Sequence, residues 1–330
     1  MLKSPIPCYK PRLVGDGRVM TACVQTGYMT GSIYVSWDYG NLWVLKGSYS
    51  VPTYYPAISS DGKYQFVSGS KPIGGGVYSG NIYNSSDYGD TWILKDSGIT
   101  DGIKLTRGIA ISGDGSIRTV ITNSGYIYVS SNYGDTWVQK SALKNWVGIT
   151  MSNDGMIQAA TVRASEDEHG YIPYTAQVYR SVNYGQSWSW RTIHEYYYHG
   201  NGGIAMSGDG KYWLAPDSGG SLWRSTDYGI SWNQALGTST WLGSSLSNDG
   251  RIQTATRQFN LVVSTDYGVT WIVKLSRPSG SILNVISGEG RIQLAIISSQ
   301  LHVSMDYGDT WIPKDSVRSW SGIAISKNIT

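Results

Sequence analysis

Cysteine, charge and long apolar runs are all scarce in this sequence. Two of the 330 residues are cysteine, Cys8 and Cys23, which excludes a disulfide framework but leaves a single bridge between them open. No stretch approaches 18 apolar residues, so no segment is expected to insert into a membrane. Residues 1–7 lack the apolar run of a secretory signal, which favours a cytoplasmic chain over a secreted one.

Strong charge and helical periodicity are also missing. Lys and Arg number 26 against 23 Asp and Glu, for a net charge of +3, so no strong field exists to recruit nucleic acid or an acidic membrane. No window repeats apolar residues at the i, i+3, i+4, i+7 spacing of an amphipathic helix. Phenylalanine occurs twice, whereas 25 Tyr and 14 Trp supply large rings with a polar tip. Together with 41 glycines, this composition predicts an all-β protein.

One motif, Ser-x-Asp-Tyr-Gly-x-x-Trp, is present seven times, with Asn132 and Asn183 replacing the aspartate in two copies. The copies occupy residues 36–43, 85–92, 130–137, 181–188, 225–232, 264–271 and 304–311. An Asp-Gly or Glu-Gly pair precedes each copy, at residues 16–17, 61–62, 114–115, 154–155, 209–210, 249–250 and 289–290. Seven alternating pairs of landmarks predict one domain of seven repeated units over residues 1–330.

The third unit shows how one repeat folds. Apolar or alternating segments predict strands at residues 108–112, 117–122, 126–130 and 136–140. A Gly-Asp-Gly turn joins the first two, with Gly115 at positive φ. A four-stranded antiparallel sheet buries both faces only against neighbouring sheets, so the units stack around an axis. The sequence therefore predicts a single seven-bladed β-propeller.

The two ends of the chain are predicted to share the first blade. Pro7 and Pro11 lie where its innermost strand belongs. The segment 320–326, Trp-Ser-Gly-Ile-Ala-Ile-Ser, matches residues 146–152, the innermost strand of the fourth unit. We therefore expect the C-terminal strand to close the first blade, which removes an exposed sheet edge.

The repeated motif resembles the Asp-box, or BNR repeat, of sialidases, xyloglucanases, sortilin-type receptors and photosystem II assembly factors. The longer phrase at residues 125–137 resembles uncharacterised repeats of large DNA viruses and aquatic microbes, which adds a virion-associated location to the expectation. This resemblance implies a propeller fold but no single activity, because Asp-boxes occur in enzymes and non-enzymes alike. The chain has seven units and no Arg-Ile-Pro signature, so it departs from the six-bladed sialidases.

The acidic position of the box is predicted to be structural. Asp and Asn side chains accept hydrogen bonds from backbone N–H groups a few residues on, and the following glycine supplies a left-handed turn. Asn132 and Asn183 keep the acceptor oxygen but lose the charge, which a metal ligand or a general acid would not tolerate. The box tryptophan and tyrosine are expected to pack rather than react.

Variation is concentrated on the rim opposite the boxes, in blade four above all. From the Gly turn to the box the distance is 17 or 18 residues in four units, but 22 in blade one, 26 in blade two and 29 in blade four, which predicts inserted loops in these three blades. The inserted loop of blade four and the following inter-blade loop are expected to share one sector of that rim, where ligand-binding candidates gather: Glu166, His169, His194, Glu195, Tyr196, Tyr197, Tyr198 and His199. The alternatives are a metal site, a carboxylate pair for glycoside hydrolysis, a solvated loop or a contact surface. The histidines do not have the spacing of metal ligands, which disfavours the metal site.

Three tryptophans form a second candidate site. Trp146, Trp241 and Trp320 begin the innermost strands of three units, near the expected mouth of the central channel. Such rings can stack on sugars, and the alternative is that they plug the channel or cover blade edges. Packing is the favoured interpretation of the two.

These features predict a non-enzymatic binding or scaffold propeller that presents one rim to a protein or glycan, without a cofactor or a metal. The alternative function is a glycoside hydrolase that uses carboxylates of the blade-four loops, for example Glu166 or Glu195. A third hypothesis is an anionic ligand held by Lys71, Lys104, Arg107 and Lys144. The sequence makes no prediction of oligomeric state.

Overall fold

The computed structural model describes residues 17–27, 30–50, 53–74, 77–96, 99, 106–122, 125–162, 176–194, 203–216, 220–237, 239–257, 259–277 and 282–327. These residues form seven four-stranded antiparallel sheets and no helix. No helix long and apolar enough to cross a membrane is found in this part of the chain. The predicted all-β, seven-bladed propeller is therefore confirmed.

The strands follow the repeat. Blade one contains β1 (Met20–Gly27), β2 (Thr30–Ser36), β3 (Val44–Tyr49) and the last strand, β28 (Trp320–Ile325). Blades two to four contain β4 (Thr53–Ile58), β5 (Gln65–Gly74), β6 (Val77–Ser85), β7 (Ile93–Asp96), β8 (Thr106–Ile111), β9 (Arg118–Thr122), β10 (Ile127–Ser130), β11 (Val138–Gln139), β12 (Trp146–Met151), β13 (Gln158–Val162), β14 (Ala176–Ser181) and β15 (Ser189–His194). Blades five to seven contain β16 (Ala205–Met206), β17 (Trp213–Pro216), β18 (Leu222–Ser225), β19 (Asn233–Leu236), β20 (Trp241–Leu246), β21 (Gln253–Arg257), β22 (Asn260–Ser264), β23 (Ile272–Ser276), β24 (Ile282–Ile286), β25 (Gln293–Ile297), β26 (Gln300–Ser304) and β27 (Ile312–Pro313).

The C-terminal strand closes blade one, as predicted. β28 pairs antiparallel with β1, with Met20 opposite Ile325. Beyond the strand, the Ser326 N–H donates to the Val19 carbonyl at 2.9 Å, and the Ser326 hydroxyl accepts from the Val19 N–H at 3.3 Å. Continuous blades make the same two bonds within one hairpin, for example between Ser59 and Tyr64 at 2.8 and 2.9 Å. Two distant segments thus rebuild the hairpin that the other blades make locally.

The hydrophobic core lies between successive sheets. Inward-facing side chains of one blade pack on those of the next, and the cluster between blades seven and one includes Met20, Val24, Leu294, Val303 and Ile323. Burying each of these side chains is worth roughly 1.5–3 kcal/mol, so the blade-to-blade contacts hold the ring together. Cys23 is buried in the neighbouring cluster, and Cys8 lies outside the described residues.

The extra residues of blades one and two extend hairpins. β5 and β6 form a continuous ladder to the pair Gly74–Val77, and β1 and β2 pair as far as Gly27–Thr30. Both extensions project from the end of the sheet opposite the boxes, because that end joins the second strand to the third. Much of both insertions therefore lies in strands rather than in the predicted loops.

Candidate functional site

The box turns have one geometry in all seven blades, and blade five illustrates it. The Ser225 hydroxyl donates to Asp227 Oδ1 at 2.8 Å and accepts from the Gly229 N–H at 2.9 Å. Asp227 then accepts from the N–H and the hydroxyl of Ser231, at 2.9 and 2.6 Å. The carboxylate is therefore occupied by hydrogen bonds that hold the turn.

The two asparagine boxes keep this arrangement. Asn132 Oδ1 accepts from the Thr136 N–H at 3.0 Å, as the carboxylate does elsewhere. Its Nδ2 donates to the Thr136 hydroxyl at 3.0 Å, whereas in blade two the Thr91 hydroxyl donates to Asp87. The threonine hydroxyl can donate or accept, so either residue satisfies the turn. The structural interpretation of the acidic position is supported by this exchange.

Hydrogen bonds also set the ionisation of the box carboxyls. Donation from the hydroxyl and then the N–H of Thr270 lowers the pKa of Asp266 to about 2. For Asp87, Asp227 and Asp306, burial acts to raise the pKa, but hydrogen bonds to the residue four positions on lower it overall. A carboxyl that stays ionised and fully bonded is a poor general acid. In the described part of the chain, no three His, Cys, Asp or Glu residues come together as a metal site.

The two sets of turns share one rim. In each blade the N–H of the box tyrosine donates to the carbonyl of the residue that follows the Gly turn, for example Tyr228 to Lys211 at 3.0 Å. The opposite rim therefore carries the loops between second and third strands and between blades. In blade four, β13 ends at Val162 and β15 at His194 on that rim. The two inserted segments thus leave the sheet at the same end.

The blade-four candidates lie in these insertions. Glu166, His169, Glu195, Tyr196, Tyr197, Tyr198 and His199 are outside the described residues, and His194 is described by its backbone alone. They remain a prediction.

The three candidate tryptophans are buried. Trp146 is 1% exposed, and its indole N–H donates to the Gly125 carbonyl of blade three at 3.1 Å. Trp241 is 2% exposed, and Trp320, at 9%, packs edge-on against Tyr34 with ring centroids 5.6 Å apart. None of the three lines the axial cavity that the innermost strands enclose. These positions favour packing over sugar stacking.

A contact that the sequence analysis missed joins neighbouring blades at their outer edge. The lysine three residues after the box tryptophan reaches the sixth residue of the next box: Lys46 Nζ lies 2.5 Å from Asp90 Oδ1, and Lys95 Nζ lies 2.5 Å from Asp135 Oδ1. Lys274 pairs with Asp309, and Lys314 donates to Asn41 Oδ1. We call this contact the inter-blade clamp.

The clamp is missing around one sector. At the junctions of blades three to six, the described residues show no such contact, because the sixth box position is Gln186, Ile230 or Val269. Ile230 and Val269 are 61% and 69% exposed, and Val182 and Trp190 of blade four are also exposed. Exposed apolar side chains are ordinary and are present on other blades as well, such as Leu42, Ile93 and Ile312, so the missing clamp is what distinguishes this sector. We call Val182, Trp190, Ile230 and Val269 the unclamped sector.

Basic side chains accompany the unclamped sector. Arg180 of β14 and Arg191 of β15 lie close enough for repulsion: burial, and then the charge of Arg191, lower the pKa of Arg180. Arg180 Nε is buried with no hydrogen-bond partner among the described residues. The Asp227 carboxylate offsets part of this effect but is bonded to Ser231 within its own turn, so a further carboxylate from outside the chain would stabilise the two guanidiniums.

Comparisons with known proteins agree with the fold. The family model of the BNR-Asp box repeat matches residues 222–235, the box of blade five, while a search of the curated proteins found no match. YCF48 from Cyanidioschyzon merolae is 13% identical with a TM-score of 0.57, over 81% of this chain and 86% of that one.

Two further solved structures are similar. One, YCF48 bound to D1 peptide, is 13% identical with a TM-score of 0.55, over 80% of this chain and 82% of that one. An ancestral GH74 enzyme is 15% identical with a TM-score of 0.56, over 83% of this chain but 38% of its own length. Identities this low establish the fold alone. By the pairing of its strands and by these similarities, the chain is a seven-bladed β-propeller, and its fifth box matches the BNR-Asp box repeat.

Proposed function

We propose that this propeller binds a protein partner along the outer side of blade four, without catalysis. The observation that carries the proposal is the break in ring symmetry, where exposed Trp190 and Ile230 accompany a missing clamp. Exposed ion pairs contribute at most about 1 kcal/mol, so losing a clamp leaves the ring intact and frees the edge for a contact. A similar propeller, YCF48, has been solved with a bound peptide, which fits a binding role for this architecture.

The side chains of this surface indicate the chemistry of the partner. Val182, Trp190 and Ile230 offer apolar contacts, and Arg180 and Arg191 offer guanidiniums, of which Arg180 also lies within the field of the box carboxylate Asp227. A polypeptide segment with apolar and acidic residues is complementary to that combination. β15 leads from Trp190 to His194 and into the loop between blades four and five, so Glu195 and Tyr196 to Tyr198 are proposed as further contacts.

A photo-crosslinking experiment tests the surface. A photoreactive amino acid replaces Ile230 in one variant and Leu45, the blade-one counterpart of Trp190, in another; Leu45 is 50% exposed. We expect the variant at Ile230 to capture a polypeptide that the variant at Leu45 does not. The captured partner is then titrated calorimetrically against Trp190→Ser, Arg191→Glu and the control Leu45→Ser.

The first two substitutions are expected to weaken binding at least about tenfold, which corresponds to about 1.4 kcal/mol, while Leu45→Ser binds as wild type. Replacing residues 166–169 with Gly-Ser, or 196–198 with Ser, tests the loop contacts in the same titration. Equal losses from blade one and blade four would contradict the proposed surface. Hydrolysis of a glycan that is abolished by Glu166→Gln or Glu195→Gln would establish the alternative enzyme instead.

A further inference from the structure

The innermost strands enclose a cavity of about 250 Å³ on the propeller axis. At about 30 Å³ per water molecule, this space holds roughly eight waters. Its wall combines small apolar side chains, among them Ala57, Ala110, Ala205 and Ala324, with hydroxyl and amide groups. The small side chains leave room at the axis that larger ones would fill.

At the box end of this cavity, one residue per blade closes the ring. It follows the last serine of the innermost strand, and is Ser60, Gly113, Asn153, Gly208, Asn248 or Gly288 in blades two to seven. Backbone hydrogen bonds join these residues around the axis, such as Gly113 N–H to Asn153 O at 2.6 Å and Asn153 N–H to Gly208 O at 2.7 Å. Six of the seven positions are therefore small and uncharged.

Blade one places a lysine at the seventh position. Lys327 follows Ser326 directly, where the closing strand ends. Its ammonium extends to blade six, where Nζ donates to the Leu246 carbonyl at 3.2 Å. Among the described residues that line the cavity, Lys327 is the one charged side chain, and the others are apolar, hydroxyl or amide groups.

The ammonium is poorly compensated. Lys327 is half-buried, and its desolvation lowers the pKa of the ammonium to about 8. No carboxylate lies within ion-pair distance of it in the described part of the chain. On β20, which also supplies Leu246, the Ser244 hydroxyl lines the cavity and has no hydrogen-bond partner there. A desolvated cation and an unused donor in the lining of one cavity favour an anion there.

We propose that the axial cavity binds a small organic monocarboxylate, with its carboxylate on Lys327 and its hydrocarbon body along the alanine-lined wall. One positive charge matches one negative charge, whereas a dianion such as phosphate would leave one negative charge without a cationic partner. The volume admits a body of the size of benzoate or hexanoate. The Ser244 hydroxyl is a further donor for the carboxylate.

Calorimetric titration with benzoate, hexanoate, benzyl alcohol and inorganic phosphate tests the proposal. The variants are Lys327→Met, which keeps the length of the side chain without its charge, and the control Lys211→Met. Lys211 lies outside the cavity, 5.2 Å over the Tyr212 ring. Replacing a desolvated charge by an apolar side chain is commonly neutral or stabilising, so Lys327→Met is expected to fold, as its melting curve will show.

We expect both carboxylates to bind the wild type and Lys211→Met at least about tenfold more tightly than Lys327→Met, and benzoate to bind more tightly than benzyl alcohol. Binding should weaken as the pH rises through about 8, because Lys327 then loses its proton. An NMR titration of ¹³C-labelled lysine should show the pKa of Lys327 rising with bound benzoate. Equal benzoate affinity in Lys327→Met would overturn the site, and binding of phosphate without benzoate would overturn the ligand class.

Discussion

The third residue of the Asp box acts through its oxygen rather than its charge. Asp227 accepts hydrogen bonds from the N–H and the hydroxyl of Ser231. Asn132 accepts from the Thr136 N–H through its amide oxygen and donates to the Thr136 hydroxyl through its amide nitrogen. We therefore expect Asp227→Asn to change the free energy of unfolding by less than about 0.5 kcal/mol. Asp227→Ala should lower it by about 1–3 kcal/mol, because the turn N–H loses its acceptor.

Urea denaturation at neutral pH measures both changes, and Asn132→Ala is the matched control that should lose as much as Asp227→Ala. A loss in Asp227→Asn as large as that in the alanine variant would show that the charge is needed.

Acid should weaken the aspartate boxes and spare the asparagine boxes. The folded-state pKa of Asp266 is about 2, below its ordinary value of 3.8, so the unfolded chain binds the proton more tightly. Its contribution to stability is complete above the unfolded pKa and is lost as the pH falls through about 2. Asp266→Asn should therefore flatten the decline of the unfolding free energy between about pH 5 and pH 2.

The reciprocal variant, Asn183→Asp, should steepen that decline, because it adds a carboxyl to a turn of the same geometry. Denaturation curves at a series of acidic pH values compare the two. If neither substitution alters the slope, the box carboxyls do not couple to folding in the way proposed.

The box tyrosine shows where residue-level inference from sequence stopped. The glycines of the turns were expected at positive φ, and Gly115 has φ 81°. All seven box tyrosines also have positive φ, between 57° and 63°, a conformation that few residues other than glycine adopt. Each tyrosine N–H donates to the carbonyl of the residue after the Gly turn, and the N–H of the glycine that follows the tyrosine donates to the box serine hydroxyl. These hydrogen bonds hold the tyrosine backbone in this conformation. Those partners lie in another hairpin or across the turn, so no single-residue preference reveals the conformation.

At the scale of strands, local patterns were sufficient for pairing but not for the direction of every side chain. The predicted segment 126–130 corresponds to β10, and the hairpins follow from period-2 alternation and glycine turns. The register, however, shifts between Trp146 and Gly148 and again between Trp241 and Gly243. Such bulges add one residue and turn the side chain away from the face that strict alternation gives. Both tryptophans accordingly pack in the core rather than line the axial cavity.

At the scale of the whole molecule, repetition predicted the ring, and both proposed binding sites lie where the repetition fails. Alignment of the seven units gives the number of blades and shows which strand completes the first blade, because every unit repeats the same pattern of strands and turns. The inter-blade clamp depends on a pair of residues about 40 positions apart, such as Lys46 and Asp90, so its loss at Ile230 is visible only once the blades are adjacent. The position of Lys327 at the axial cavity is likewise visible only in the folded ring, because the closing strand is what brings this residue to the axis.

The closing strand should be needed for the whole ring to fold. β28 supplies Trp320, Ile323 and Ile325 to the core between blades seven and one, and its backbone pairs with β1. At roughly 1.5–3 kcal/mol per buried side chain, these three approach the total stability of about 5–15 kcal/mol typical of a folded protein. Removing residues 317–330 should therefore abolish cooperative melting and expose the edge of β1 to aggregation. Calorimetry and size-exclusion chromatography measure both effects, with a variant that lacks only residues 328–330 as the control expected to melt as wild type. A monomer without β28 that kept the wild-type melting curve would show that blade one does not depend on its C-terminal strand.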